Sequence, residues 1–313
     1  MNFQQLRYVR EAVRQGLNLT EAANVLFTSQ PGISKQIREL EDELGVEIFI
    51  RRGKRLVDLT EPGKAVVEVI ERLLSEADNL RQVGREFADR DSGALTIATT
   101  HTQARYALPD VVQRFRKAYP KVRLSLQQGS PVQIAEMVSA GRADVAISTE
   151  VLDSYPDLLA LPCYTWRHCV VTPLGHKLSK AKYLTLEELA TYPLITYSPD
   201  FTGRSHIDQA FAAKGLKMDI VLTAIDADVI KTYTELGMGV GIIAAMAFDK
   251  KRDAKLHSID AGHLFHANTT RIAIKRVAFL RRYTYAFIEM FAPHLTKDIV
   301  DRARTAKGDD YEL

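Results

Sequence analysis

The sequence predicts an α/β module of two lobes, preceded by a winged helix-turn-helix and a long linker helix. Three observations predict it. Beyond Ala94, β-branched runs alternate with amphipathic stretches, the pattern of strands joined by helices that cover a sheet. Residues 19 to 49 divide into two short helical patterns around a tight turn. Between these regions, apolar residues recur at alternating steps of three and four, which suits a helix packed along one seam.

In the first region, LTEAANVLFTSQPGISKQIRELEDELGVEIF, Thr20 is expected to cap a helix whose buried face is Ala22, Ala23 and Leu26. Thr28 and Ser29 precede Pro31, a residue tolerated only in a helix's first turn, so a second helix begins there. Ile33, Ile37, Leu40 and Leu44 fall on one stripe of it, and Pro31, Ser34, Lys35 and Arg38 on the other. The second helix of such a pair enters the DNA major groove, although any amphipathic helix has a solvated face. The sequel strengthens the DNA reading. Arg51, Arg52, Lys54 and Arg55 surround Gly53, and Leu56, Val57 and Leu59 follow, a short hairpin whose cations can engage phosphates. The expected DNA-binding set is Thr20, Ser29, Gln30, Pro31, Ser34, Lys35 and Arg38, with Arg51, Arg52, Lys54, Arg55 and Thr60 on the backbone.

Thr60 is placed to cap the linker helix, with Pro62 in its first turn. Along it run Val66, Ile70, Leu73, Ala77, Leu80, Val83 and Phe87. One narrow seam outside a globular domain is most simply buried against a second copy, so Val66, Ile70, Leu73, Ala77 and Leu80 are expected at a dimer interface.

Strands are expected at 94–99, 122–127, 144–149, 168–173, 194–198, 219–224 and 270–275, with helices at 104–118, 131–140, 186–190, 205–214 and 228–237. This alternation implies parallel sheets, whose ligands collect at the carboxyl ends of strands. At the first such end, ATTHTQARYAL leads from strand to helix and presents hydroxyls and free amides. That suits an anion, but it also suits a plain capping turn. Ser148 and Thr149 end the third strand, and Phe201, Thr202 and Gly203 follow the fifth. If these ends converge, neutral donors could hold a small anion without a buried counter-charge. The chain is expected to cross between the lobes near Cys163 to Trp166 and again near Phe265 to Thr269.

The expected domains are therefore 1–59, 60–91 and 92–300, followed by a tail at 301–313. The first lobe of the third domain would hold about 92–163 and 267–300, and the second about 164–266. The tail is charged and poor in apolar residues, so it is expected to be loosely held. With 313 residues, 46% of them hydrophobic, the chain can bury such cores. It shows no leader-like apolar run at its start, and its longest apolar stretch is too short to span a bilayer. A cytoplasmic protein with no membrane partner is expected. A net charge of only +3 means that nucleic acid must be met by a local patch. Cys163 and Cys169 flank His168, but a structural zinc site takes four ligands at set spacings, so no metal is expected. His101 and Ser148 raise an enzyme reading, yet there is no nucleophile elbow or glycine-rich phosphate loop, so no catalytic residue is expected. A transport-type solute-binding protein would share two lobes but not a helix-turn-helix.

In this order, TSQPGISKQIRELEDELG, ATTHTQARYALP, QGSPVQIAEMVSAGRADVAIST, FTGRS, and DADVIKTY with GVGIIA resemble the LysR-type transcriptional regulators along essentially the whole chain. Within that family they are similar to the cysteine-regulon branch of CysB and Cbl. The resemblance implies a winged helix, a linker helix and an effector-binding domain of two periplasmic-binding-protein-like lobes, assembled as a dimer of dimers on double-stranded promoter DNA, with RNA polymerase as a further partner. It implies an anion pocket at Thr100, Thr102, Gln103, Thr149 and Thr202. The implied effectors are N-acetylserine or O-acetylserine, with sulfate or thiosulfate competing, and the implied targets are genes of sulfur assimilation and cysteine biosynthesis. The alternatives are a Cbl-like regulator of sulfonate or sulfate-starvation genes and a DNA-binding repressor without effector. The cation-rich wing and the tail depart from the branch.

Overall fold

In the computed structural model, which describes residues 1–53, 55–88, 92–180, 183–201 and 203–305, the chain forms two units, Met1–Ala88 with Val277–Phe279, and the remainder. The first unit opens on α1 (Phe3–Arg14), where Asn2 and Gln5 form a capping box. Next come α2 (Leu19–Val25) and α3 (Gln30–Leu44). Asn18, not Thr20, caps α2, accepting from the amides of Thr20 and Glu21. The helix starts one residue early because Leu19 is drawn into the core, which leaves Thr20 exposed in the first turn. Ser29 caps α3 by accepting from Gly32, and Gly45 ends it at φ +69, a left-handed value that favours glycine.

Leu6, Val9, Ala22, Ile33, Ile37 and Leu40 form the core of these helices, while Leu44 lies outside the stripe and is exposed. The wing is an antiparallel hairpin of β1 (Phe49–Arg52) and β2 (Arg55–Leu59). Lys54 falls outside the described residues. Thr60 caps α4 (Glu61–Ala88) by accepting from the Gly63 amide at 2.8 Å. The expected single seam of α4 is divided. Val66 and Ile70, with Val67 and Leu74, pack on the core of their own unit, so they do not wait for a second copy, and Ala77 is half-buried. Leu73 and Leu80 are 42% and 74% exposed.

The second unit holds two five-stranded sheets. The first contains β3 (Gly93–Thr99), β4 (Val122–Gln128), β5 (Val145–Ser148), β6 (Leu158–Trp166) and, from late in the chain, β12 (Asn268–Lys275), in the order β4-β3-β5-β12-β6. The second contains β7 (His168–Pro173), β8 (Pro193–Tyr197), β9 (Asp219–Ala224), β10 (Val240–Ala244) and β11 (Leu256–Asp260), in the order β11-β7-β10-β8-β9. The expected parallel sheets are in fact mixed. β12 runs antiparallel to β5 and β6, and β7 runs antiparallel to β10 and β11. These strands arrive directly from the other lobe, through Arg167 or 261–267. A strand that enters without a crossover helix need not run parallel to its neighbour.

Helices α5 (Leu108–Ala118), α6 (Pro131–Ser139), α10 (Arg282–Phe291) and α11 (Lys297–Thr305) belong to the first lobe; α7 (Leu186–Leu189), α8 (Arg204–Ala213) and α9 (Ala227–Glu235) belong to the second. The expectation of a loose tail fails for 301–305. These residues continue α11, whose Val300 and Ala303 enter the first core; 306–313 lie outside the described residues. Cys163 and Cys169 are buried in different cores. Among the described residues, no helix is long and apolar enough to cross a membrane.

Candidate functional site

The polar face of α3 presents Pro31, Lys35 and Arg38 to solvent, with Gln30 and Ser34 half-buried beside them. Lys35 meets Glu39 at 3.7 Å on an exposed face, a pair too loose and screened to hold the cation in place. Arg51 departs from its expected role as a free phosphate-binding cation. Its Nη2 lies 2.6 Å from Oε2 of buried Glu41, whose Oε1 accepts from the amides of Ile48 and Phe49. Arg51 thus ties the wing to α3. Arg52 and Arg55 face each other across the hairpin and remain exposed. The Thr60 hydroxyl is likewise engaged, donating to the Glu47 carbonyl while it caps α4. Phe27, in the turn before α3, is 97% exposed at φ +50; periodicity gave it no signal because it belongs to neither helix face.

The second site begins where β3 ends. Thr99 donates to the Ile147 carbonyl at 3.2 Å and is structural. Thr100, Thr102 and Gln103 are all buried, and Gln103–Ala107 forms a π-helical turn before α5, a feature frequent at functional sites. Gln103 donates through Nε2 to Thr270 Oγ1 at 3.0 Å, and its Oε1 accepts from the Tyr164 hydroxyl. Among the described residues the Thr102 hydroxyl has no hydrogen-bond partner, although the buried Tyr197 hydroxyl lies near enough to feel it. The Ser148 hydroxyl at the end of β5 and the Trp166 indole N–H at the end of β6 are also buried without partners. A buried donor left unpaired costs about 1–3 kcal/mol, so these groups favour a ligand that can accept from them.

Thr149 follows half-buried, and next to it stands Glu150. Its Oε1 accepts from the Gly203 amide in the opposite lobe, while its Oε2 has no partner. Burial pushes the Glu150 carboxyl up to about 7, against the lowering effect of backbone N–H groups. Gly203 caps α8 at φ +68, and a Cβ there would stand 2.1 Å from Asn268 Oδ1. Both the left-handed backbone and the space require glycine. Thr202 falls outside the described residues. The structure therefore joins Thr100, Thr102 and Gln103 in one turn, and links the residue after Thr149 to the residue after Thr202. Sequence reasoning missed Glu150, Tyr164, Trp166, Asn268 and Thr270; a lone carboxylate directly after a buried strand was the one signal available.

The same π-turn grips the second lobe. Arg105 Nε lies 2.5 Å from Asp228 Oδ2, and the Tyr106 hydroxyl donates to Asp228 Oδ1 at 2.8 Å. Buried Lys231 donates to the Ala247 carbonyl at 2.8 Å and meets Asp253 at 3.0 Å and Tyr106 at 3.3 Å. Burial works against ionisation of Asp228, but the hydrogen bond from Tyr106 and the charges of Lys231 and Arg105 hold its carboxyl below the usual range. His101, Asp226 and Asp228 are close enough to share a metal ion. However, Asp226 caps α9 and Asp228 already carries two cations, so the cluster has little negative charge left for a metal. Together Thr102, Trp166 and Glu150 offer neutral donors beside one carboxyl, chemistry that can hold a small anion.

Two family models match the chain, "Bacterial regulatory helix-turn-helix protein, lysR family" over residues 3–64 and "LysR substrate binding domain" over residues 88–296. The chain is 66% identical over 297 residues to the HTH-type transcriptional regulator SsuR of Burkholderia cenocepacia, covering 95% of this chain and 96% of that one. It is 55% identical over 313 residues to the HTH-type transcriptional regulator CysB of the same organism, covering the whole of both. The crystal structure of the cofactor-binding domain of the Cbl transcriptional regulator superposes with a TM-score of 0.67 at 46% identity, covering 69% of this chain and 95% of that one.

Proposed function

Because this chain belongs to the LysR family of transcriptional regulators, we propose that it is a cytoplasmic regulator of sulfur-assimilation and cysteine-biosynthesis genes, controlled by a small anionic effector in the cleft. N-acetylserine or O-acetylserine is the effector class, and sulfate or thiosulfate competes for the anion position. In this reading α3 enters the major groove with Gln30, Pro31, Ser34, Lys35 and Arg38 toward base edges, while Arg52 and Arg55 hold phosphates. The exposed part of α4, at Leu73 and Leu80, joins two copies, and pairs of dimers assemble on promoter DNA within reach of RNA polymerase. A Cbl-like role at sulfonate or sulfate-starvation genes is the second reading, favoured by the likeness of the effector module to that of Cbl. Transcript profiling of a deletion strain separates the two.

The observation that carries the effector reading is the buried, unpartnered hydroxyl of Thr102 at a strand-to-helix turn. Thr102→Val keeps the volume and removes the donor. Each hydrogen bond to a charged group contributes roughly 1.5 to 3 kcal/mol, so calorimetry with sulfate and with N-acetylserine should show binding weakened about ten- to a hundredfold. Gel shifts without ligand should stay near wild type. Wild-type affinity for both ligands in Thr102→Val would reduce the turn to a helix cap.

A further inference from the structure

The effector cleft holds hydrogen-bonding groups of two kinds. One kind can donate: the Thr102 hydroxyl and the N–H of Trp166, which pairs with Asn268 across the sheet. The other can only accept, namely Glu150 Oε2 when ionised and Asn268 Oδ1, and both of these are buried without partners among the described residues. The two acceptors converge on Gly203, whose amide donates to the other Glu150 oxygen and whose missing Cβ would overlap Asn268 Oδ1. Asn268 and Thr270 lie two residues apart on β12, so they share a face, and Thr270 accepts from Gln103 of the anion turn. Donors and acceptors therefore border the same cleft.

Building on the effector reading above, we propose that Glu150, with Asn268 beside it, accepts a hydrogen bond from an N–H group of the effector, so that the cleft selects an anion bearing an ammonium or amide group over a bare oxyanion. A carboxylate pointing into an anion pocket repels an anion unless something donates to it. An N–H on the ligand does so directly. Sulfate has no N–H, and it can be accommodated only when Glu150 itself takes up a proton and donates to a sulfate oxygen.

Glu150 is suited to that exchange, because burial already raises its carboxyl to about 7 and no charged side chain among the described residues acts on it. The charged side chains on the surrounding elements are otherwise engaged. On β12, Arg271 pairs with Asp153 at 3.0 Å. On α8, Arg204 bonds Asp208 and the Tyr197 carbonyl, while His206 sets its ring edge-on to His266 and keeps a buried Nδ1 without a partner among the described residues. On β7, His168 packs between Trp166 and Phe265. Glu150 is left as the group that senses the ligand's charge pattern.

Calorimetry on the full chain, wild type and Glu150→Gln, with sodium sulfate and with N-acetylserine between pH 6 and pH 8.5, tests this. Wild-type sulfate affinity should fall about tenfold per pH unit above pH 7, as uptake of one proton requires. N-acetylserine affinity should instead rise about tenfold from pH 6 as Glu150 ionises and stay nearly flat above pH 7.5. Glu150→Gln supplies a permanent donor, so at pH 8.5 it should bind sulfate more tightly than wild type and N-acetylserine roughly tenfold more weakly. Equal weakening of both ligands in Glu150→Gln, or wild-type sulfate binding that ignores pH, would overturn the role of Glu150. The wild-type titration needs no variant to fold. If wild type bound neither ligand, the effector reading itself would fall, a result distinct from a failure at Glu150 alone.

Discussion

Glu150 also couples the cleft to stability. Its carboxyl is raised from 4.5 to about 7 in the folded chain, chiefly by burial. Below pH 4.5 both folded and unfolded forms are protonated and the group is neutral to stability. Between these values the unfolded chain releases a proton that the folded chain keeps, and stability falls as pH rises. Above pH 7 the full penalty, on the order of 3 kcal/mol, applies. Glu150→Gln should accordingly unfold at higher denaturant than wild type at pH 8, the gap closing toward pH 4.5; a gap that ignores pH would mean that Glu150 ionises normally. The two neighbouring arginines of the wing separate in the same way. Arg51→Ala leaves Glu41 buried and unpaired and should cost up to about 3 kcal/mol in unfolding, whereas Arg52→Ala should leave stability alone and flatten the salt dependence of operator binding. If Arg51→Ala left unfolding unchanged and altered only the salt dependence, Arg51 would be a phosphate contact after all.

At the scale of an element, α4 carries two stripes where one periodicity runs through the sequence. Val66, Ile70 and Leu74 follow steps of four and pack on their own unit, while Leu73, Leu80 and Phe87 lie seven apart and are exposed. A seven-residue repeat is the spacing of a coiled-coil seam. Ile70→Ala should lower the stability of the helix-turn-helix unit by about 2–5 kcal/mol through the cavity it leaves. Leu80→Glu should leave unfolding near wild type and shift light scattering from dimer to monomer. Intact assembly in Leu80→Glu would move the interface off this stripe.

At the scale of the molecule, the two lobes of the second unit are joined by Arg167 and by 261–267, and also by the grip of the π-turn on Asp228 and Lys231. That turn begins at Gln103, one residue after Thr102. A ligand that orders the turn therefore acts directly on the inter-lobe grip. Asp228→Asn removes the charge that Arg105 and Lys231 hold, and hydrogen exchange of the amides from 104 to 108 should quicken in the absence of ligand. Unchanged exchange would show that Tyr106, packed on the second lobe's core, closes the lobes without the ion pairs.

The local periods of the sequence were enough to determine the helix-turn-helix, the cap at Thr60, most strands of both lobes and the strand-to-helix turn at Thr100 to Gln103. Each depends on residues within one element, where the spacing of apolar positions sets which face is buried. Tertiary structure alone decided the rest. β10 is buried on both faces, so it carries no alternation to read. Whether Val66 and Ile70 meet their own domain or a second copy depends on how α4 leaves the wing. Glu150, Trp166, Asn268 and Gly203 come from four separate segments, and only the folding of the two sheets brings an acceptor from one lobe to an amide of the other. A sequence period records that a face must be covered; which distant residues cover it, and which polar atoms are left facing a ligand, is settled by long-range packing.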